Sequence, residues 1–232
     1  MKKERIWELD AVRGLCIIGM MAVHFVYDIV TFAEKEIHIP EWFFIVQQYG
    51  HLFFVLISGI CVTLGSKCVK RGAIVFGFGM LVTGVTCLLD YGFHIEEIRI
   101  WFGILHLLGV CMMLYPLFKK LPHWALALIG AAFVGIGYWF TTFEVSFPYL
   151  FFLGLRPSTD FFTGSDFFPV FPGLGTFLLG AALGKSVYKN KKSLFPKVKP
   201  TIFPVLRFIG RHSLEFYILH QPVLLGLVLL IF

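Results

Sequence analysis

Charged residues are scarce in this sequence of 232 residues. Lys, Arg, Asp and Glu together make up 15% of it, whereas soluble domains carry about a quarter. Hydrophobic residues make up 58% of the chain, and its mean hydropathy is +0.82. The shortage of charge argues against an ordinary soluble domain and indicates that a lipid bilayer surrounds most of the chain.

The sequence also lacks paired cysteines. None of its five cysteines forms a C-x-x-C pair, and most of them lie inside apolar runs. They are Cys16, Cys61, Cys68, Cys87 and Cys111. We interpret them as small apolar residues rather than as disulfides or metal ligands, and no metal site is predicted. No internal repeat is found, and a single domain over residues 1–232 is expected.

Seven apolar segments follow one another along the chain, each about as long as a membrane-spanning helix. They cover approximately residues 9–31, 47–64, 72–89, 98–118, 123–142, 168–185 and 207–231. The first segment contains Arg13, His24 and Asp28 and shows no convincing cleavage site, so we interpret it as a retained helix rather than a signal peptide. The predicted fold class is an all-α polytopic membrane protein with about seven transmembrane helices.

Basic residues cluster in alternate loops. The N-terminus and the second, fourth and sixth loops are rich in Lys and Arg, whereas the first, third and fifth loops are poor in them. By the positive-inside rule the N-terminus is cytoplasmic and the C-terminus lies outside. This placement favours membrane orientation over nucleic-acid binding, and it predicts a multi-pass protein of the cytoplasmic membrane.

The fifth loop, roughly residues 143–167, is rich in phenylalanine. Its phenylalanines include Phe143, Phe147, Phe151, Phe152, Phe161, Phe162 and Phe167. One interpretation is a half-buried segment on the bilayer interface, and this is the favoured one. The other is a lid over an outward-facing site.

The first helix carries four ionisable side chains: Asp10, Arg13, His24 and Asp28. A charge deep in a membrane helix costs at least ~2.5 kcal/mol, so each is a candidate functional residue. Arg13 and His24 lie within about 20° of each other around the helix, with His24 ~16 Å further outward. Asp28, one turn beyond His24, is close enough to hydrogen-bond its imidazole, which would suit a general base. The alternative is a polar staple between helices.

Other segments supply polar residues that predict a cavity between the first, second, fourth and seventh helices. These residues include His51, His106, Glu215, Tyr217, His220 and Gln221. For each of them the alternative is a hydrogen-bonded packing role.

On the cytoplasmic side, basic residues form a mouth that suits a polyanionic ligand. They are Arg13, Arg207, Arg211, His212 and the lysines from Lys185 to Lys199; for the lysines, the alternative is a role in orientation alone.

Three motifs resemble the bacterial branch of the heparan-alpha-glucosaminide N-acetyltransferase catalytic-domain family. They are residues 9–15 continued by 24–28, residues 102–109 and residues 209–222. This family is related to transmembrane acyltransferases of the acyltransferase-3 type, in which ten residues separate an arginine from a histidine in one helix. Arg13 and His24 have that spacing.

The resemblance implies transfer of an acetyl group from cytoplasmic acetyl-CoA to an amino sugar or other envelope glycan on the outer side. The expected catalytic residues are His24, Asp28 and His106. The residues expected to bind the CoA phosphates are Arg13, Arg207, Arg211 and His212. The residues expected to bind the acceptor are His220, Glu215, His51 and Arg99. His24 would act either as a base or as a covalent carrier of the acetyl group.

Several alternatives stay open at this point. Lysosomal members of the family carry asparagine where His24 stands and place their histidine further along, so His38 is an alternative position. Related enzymes have more than seven helices, which makes a homodimer one expectation. The alternatives to an acetyltransferase are a haem-binding electron carrier using His24, His106 and His220, and a proton-coupled transporter with Asp28, Glu215 and the histidines as a relay.

Overall fold

The computed structural model describes residues 5–32, 38–93, 98–157, 166–198 and 203–231. Its regular structure is almost entirely helical. The helices are α1 (Trp7–Phe32), α2 (Glu41–Leu64), α3 (Cys68–Phe93), α4 (Ile104–Phe118), α5 (His123–Phe140), α6 (Val170–Val187), α7 (Pro204–Arg211) and α8 (Ser213–Ile231). The prediction of an all-α fold is confirmed.

Six of these helices are long and apolar enough to cross a membrane: α1, α2, α3, α5, α6 and α8. Helix α4 is apolar but shorter, with 15 residues. Many large apolar side chains are exposed, among them Leu88, Tyr91 and Leu230, which are 72%, 84% and 84% exposed. Exposed apolar side chains on apolar helices are the pattern of lipid-facing surfaces. The chain is a polytopic membrane protein.

The seven predicted segments all fall on helices, and two of them differ in detail. The fourth was expected over residues 98–118, but α4 begins only at Ile104, because residues 100–103 form a non-helical turn docked on α3. The seventh is broken at His212, whose φ and ψ of −106° and 28° separate α7 from α8. The His212 N–H donates to the carbonyls of Phe208 and Ile209, and its own carbonyl accepts the N–H of Phe216.

The chain forms two compact units, Met1–Phe54 with Asn190–Phe232, and Val55–Lys189. In the first unit, α1 packs against α7 and α8. Helices α1 and α7 cross at two glycines: a Cβ on Gly14 would lie 2.0 Å from the Leu206 carbonyl oxygen, and one on Gly210 would lie 1.7 Å from that of Asp10. No side chain fits at either position, so this crossing requires glycine.

Helices α1 and α8 run in the same direction. Residues near the start of α1 contact the start of α8, and residues further along α1 contact residues further along α8. Arg13 lies against Ser213, and Asp28 lies against Gln221. The predicted seven membrane crossings, an odd number, would give the first and last spans the same direction.

The second unit contains two closely packed helix pairs, α3 with α4 and α5 with α6. Between α5 and α6 the chain forms a parallel bridge of two short strands, β1 (Glu144–Val145) and β2 (Arg156–Pro157), around a 3-10 helix at Pro148–Leu153. The phenylalanine-rich loop is therefore partly ordered here, whereas Phe161 and Phe162 lie outside the described residues. None of the five cysteines, all of which are described, forms a disulfide.

Candidate active site

The polar stripe of α1 faces α8 in the first unit. At its start, Arg13 Nη2 donates a hydrogen bond to Ser213 Oγ. The Arg13 Nε atom is buried and has no hydrogen-bond partner among the described residues. A guanidinium offers five N–H donors in a planar fork, so Arg13 retains donors beyond the one that Ser213 uses. Ser213 was not predicted as a partner of Arg13, although it lies in the motif at residues 209–222.

Further along the stripe, the rings of His24 and His220 are in contact. Their centroids lie 4.9 Å apart, at an interplanar angle of 60°. His220 Nδ1 lies 2.6 Å from the Tyr217 carbonyl oxygen. A carbonyl only accepts, so Nδ1 carries the hydrogen and the neutral ring has its lone pair on Nε2. The structure thus brings together two histidines that the sequence placed in different helices.

The third contact of the stripe joins Asp28 to Gln221. Gln221 Nε2 donates to Asp28 Oδ1 over 2.7 Å, and Asp28 is completely buried. The hydrogen bond expected between Asp28 and His24 is not formed in the described part of the chain. The reason is tertiary: α8 brings an amide donor to the carboxylate, which α1 considered alone does not reveal.

The expected phosphate-binding residues lie at the other end of this helix pair, and two of them already have carboxylate partners. Arg211 Nε lies 3.1 Å from Asp10 Oδ2, and His212 Nδ1 lies 3.5 Å from Glu215 Oε1. Arg207 lies on α7, one turn before Arg211. The positive charge at this mouth is therefore smaller than the count of basic residues suggests.

Glu8 holds the lysine-rich segment against the start of α1, a role that the sequence did not reveal. Its side chain is buried and accepts hydrogen bonds from Ser193 Oγ at 2.8 Å and from the Leu194 N–H at 2.7 Å. The neighbouring Trp7 ring packs against Phe195 and stacks on Phe203. An acidic residue in a first helical turn is common for electrostatic reasons alone, so only the fold shows this anchoring role.

Lys185, which we placed in the basic mouth, serves a different purpose in the second unit. Its Nζ donates to the carbonyls of Lys119 and Leu121, each at 2.6 Å. These carbonyls follow the end of α4, where helical carbonyls have no partner within the helix. Lys185 therefore acts as a cap for α4.

His106 belongs to the second unit, where both of its ring nitrogens have partners. Nδ1 accepts the N–H of Gly103 at 3.1 Å, and Nε2 lies 3.4 Å from Thr83 Oγ1. The Thr83 hydroxyl donates to the Ile100 carbonyl, so His106 Nε2 must be the donor in its own bond to Thr83. The ring is buried between Phe76 and Phe102, each 5.4 Å away between centroids.

The remaining predicted residues are distributed over both units. Arg99 Nε lies 3.1 Å from Asp90 Oδ2 in the second unit. His51 lies on α2 within the first unit and is partly buried, whereas His38 is exposed ahead of α2. Within the first unit, Arg13, His24 and Asp28 thus lie along the face of α1 that meets α8, and His220 contacts His24. A single cavity that also includes His106 stays a prediction.

The sequence was compared with known protein families. Residues 5–222, all but the first four and the last ten, match the family described as heparan-alpha-glucosaminide N-acetyltransferase, catalytic. The chain belongs to this family. Membership in the heparan-alpha-glucosaminide N-acetyltransferase family makes it a transmembrane acetyltransferase and confirms the resemblance of the three motifs. No curated protein and no solved structure matches the chain.

Proposed function

We propose that this protein transfers an acetyl group from cytoplasmic acetyl-CoA to an amino sugar or other envelope glycan on the opposite side of the cytoplasmic membrane. The observation that carries the proposal is the line of contacts along α1 and α8. It leads from Arg13 with Ser213, through His24 with His220, to Asp28 with Gln221. At 1.5 Å per residue, Arg13 and His24 are about 16 Å apart along the helix, so donor binding and chemistry occupy different depths.

At the cytoplasmic end, phosphate oxygens of acetyl-CoA bind arginine side chains. Arg13 keeps unused guanidinium donors, and Arg207 lies on the adjoining α7. Arg211 and His212 join them by sharing their present carboxylate partners with the incoming phosphates. Charge-assisted bonds from arginine to phosphate are among the stronger hydrogen bonds in proteins. The thioester then extends along the stripe towards His24.

At the outer end, His24 acts in one of two ways. As a base, it takes a proton from the acceptor while the acceptor attacks the thioester carbonyl; the carbon–sulfur bond then breaks and the CoA thiolate is released. As a carrier, its imidazole attacks first, expels the thiolate and passes the acetyl group to the acceptor. His220 lies against the His24 ring in either route and helps to bind the acceptor.

Two other functions receive less support from the geometry. A haem with two axial histidines needs the porphyrin plane between their rings, but the rings of His24 and His220 are in direct contact. A proton relay through Asp28, the histidines and Glu215 would need Glu215 to lie beside the stripe that carries His24 and Asp28. The Glu215 side chain is instead 62% exposed and paired with His212 at the start of α8, six residues before Gln221.

An assay of acetyl transfer across a liposome membrane tests the proposal. The purified protein is placed in liposomes, with radiolabelled acetyl-CoA on one side of the membrane and glucosamine, as probe acceptor, on the other. We expect labelled product when the substrates are on opposite sides, and protein-free liposomes serve as the control. Failure of the protein to bind or turn over acetyl-CoA would contradict the proposal. Crosslinking in the same liposomes tests whether the protein forms the homodimer that its small number of helices led us to expect.

A further inference from the structure

Two buried oxygen atoms at the outer end of the stripe lack hydrogen-bond donors in the part of the chain that the structure describes. Asp28 Oδ2 and Gln221 Oε1 are both buried, and neither has a partner among the described residues. The two side chains are joined through their other atoms, Gln221 Nε2 to Asp28 Oδ1. A buried acceptor left without a donor costs about 1–3 kcal/mol, so two of them on one hydrogen-bonded pair of side chains point to a ligand that supplies the missing hydrogens.

The orientation of the amide follows from the same contact. Turning the Gln221 amide over would place its oxygen against an oxygen of Asp28. An amide oxygen and an ionised carboxylate oxygen both only accept, so no hydrogen bond would form. The amide nitrogen therefore faces Asp28, and Gln221 Oε1 remains an acceptor. In addition, no described cation forms an ion pair with Asp28, and an uncompensated carboxylate is costly inside a membrane.

We propose that Asp28 and Gln221 form the binding site for the amino group of the acceptor, bound as an ammonium. This inference rests on the proposed acetyl transfer and adds Gln221 as a positioning residue for it. An ammonium supplies three N–H donors and a positive charge. Two of the donors match the two acceptor oxygens, and the charge matches the Asp28 carboxylate. A hydroxyl supplies a single donor and no charge, so it leaves one oxygen without a partner. The pair therefore selects amines over hydroxyls.

The pair lies beside the proposed base. His24 precedes Asp28 by one helical turn on α1, and Gln221 follows His220 directly on α8. Positions four apart in a helix lie on the same face, about 6 Å apart. An ammonium held by Asp28 and Gln221 is thus delivered next to the imidazole that must take its proton before the nitrogen can attack.

The test uses the full-length protein in nanodiscs, glucosamine as the amine probe and glucose as its hydroxyl counterpart. The variants are Asp28→Asn, which removes the charge, and Gln221→Met, which keeps the volume but removes the amide. We expect each to raise KM for glucosamine at least about tenfold, as for a lost bond to a charged group, while the Kd of acetyl-CoA changes less than twofold. Glu144→Gln and Gln48→Met, at exposed positions, are the matched controls.

Thermal unfolding supplies a readout that does not depend on turnover. Glucosamine should raise the Tm of the wild type, glucose should not, and either variant should lose the shift. The inference is overturned if both variants keep the wild-type KM and the wild-type shift, or if they lose only stability, as a polar staple would. If acetyl-CoA is never turned over, the proposed function fails, and the shift with glucosamine still decides whether this amine site exists.

Discussion

The imidazole rings of His24 and His220 touch, with 4.9 Å between their centroids. One ring comes from α1 and the other from α8, and the Tyr217 carbonyl fixes the tautomer of His220. This contact places a second imidazole, with a defined lone pair, next to the proposed base or carrier. The two histidines should therefore differ in how much the reaction depends on them.

Replacing His24 by alanine is expected to lower kcat for acetyl transfer by at least about 100-fold, because general bases typically contribute 10²–10⁴-fold. His220→Ala should lower kcat less, by about tenfold, because His220 lies against the His24 ring and does not itself take the proton or carry the acetyl group. The measurement is labelled acetyl transfer to glucosamine. His123→Ala, at an exposed position, is the control. Full activity in His24→Ala would show that His24 is misassigned and direct attention to His38.

Arg13→Ala should weaken acetyl-CoA binding about tenfold and alter kcat much less, because a charge-assisted bond to phosphate contributes about 1.5–3 kcal/mol. Isothermal titration with acetyl-CoA gives the Kd, and Arg71→Ala, at an exposed site, controls for the loss of one charge. Unchanged affinity in Arg13→Ala would contradict a role in phosphate binding.

Gly14→Ala should destabilise the protein by several kcal/mol, because its Cβ would lie 2.0 Å from a backbone oxygen of α7 and the helices would have to separate. Gly19→Ala is the matched control on the same helix, where a Cβ meets nothing within 4 Å. Thermal unfolding in detergent compares the two variants. Equal Tm values for Gly14→Ala and Gly19→Ala would mean that this helix crossing is looser than described.

His106→Ala tests whether this histidine is catalytic or structural. Its loss leaves the Gly103 N–H without an acceptor and removes the donor to the Thr83 hydroxyl oxygen. We therefore expect a destabilisation of about 1–3 kcal/mol and nearly normal kcat in the folded fraction. Thr83→Val, which removes the second of these bonds, should reproduce part of the destabilisation. Normal stability combined with loss of activity would instead support the catalytic role predicted from the sequence.

Glu8→Ala should release the segment that carries Ser193 and Leu194, because both of their bonds to the carboxylate are lost. Trypsin should then cleave faster after the lysines of this segment, Lys191, Lys192 and Lys197. Limited proteolysis followed by mass spectrometry measures the rate. Glu144→Ala, an exposed carboxylate in another loop, should leave cleavage unchanged, and equal rates in both variants would rule out this anchoring role.

The candidate site was predictable in part. The positions of Arg13, His24 and Asp28 on one stripe follow from the helical repeat, and α8 does meet that stripe. The hydrogen-bond partner predicted for Asp28 was wrong, because Gln221 from another helix takes the place expected for His24. Glu8 and Lys185 have anchoring and capping roles that depend on segments far away in the chain, with which no local pattern associates them.

Hydropathy and helix periodicity were enough to establish seven apolar helical segments, the alternation of loop charge and the polar stripe of α1. These are local properties: the bilayer requires each span to be apolar, and 3.6 residues per turn fixes which side chains share a face. The tertiary structure decided which groups meet, from the pairing of His24 with His220 to the closed hydrogen-bond network of His106. Such pairings depend on how separate helices pack, and contacts between residues about 200 positions apart leave no periodic trace in the sequence.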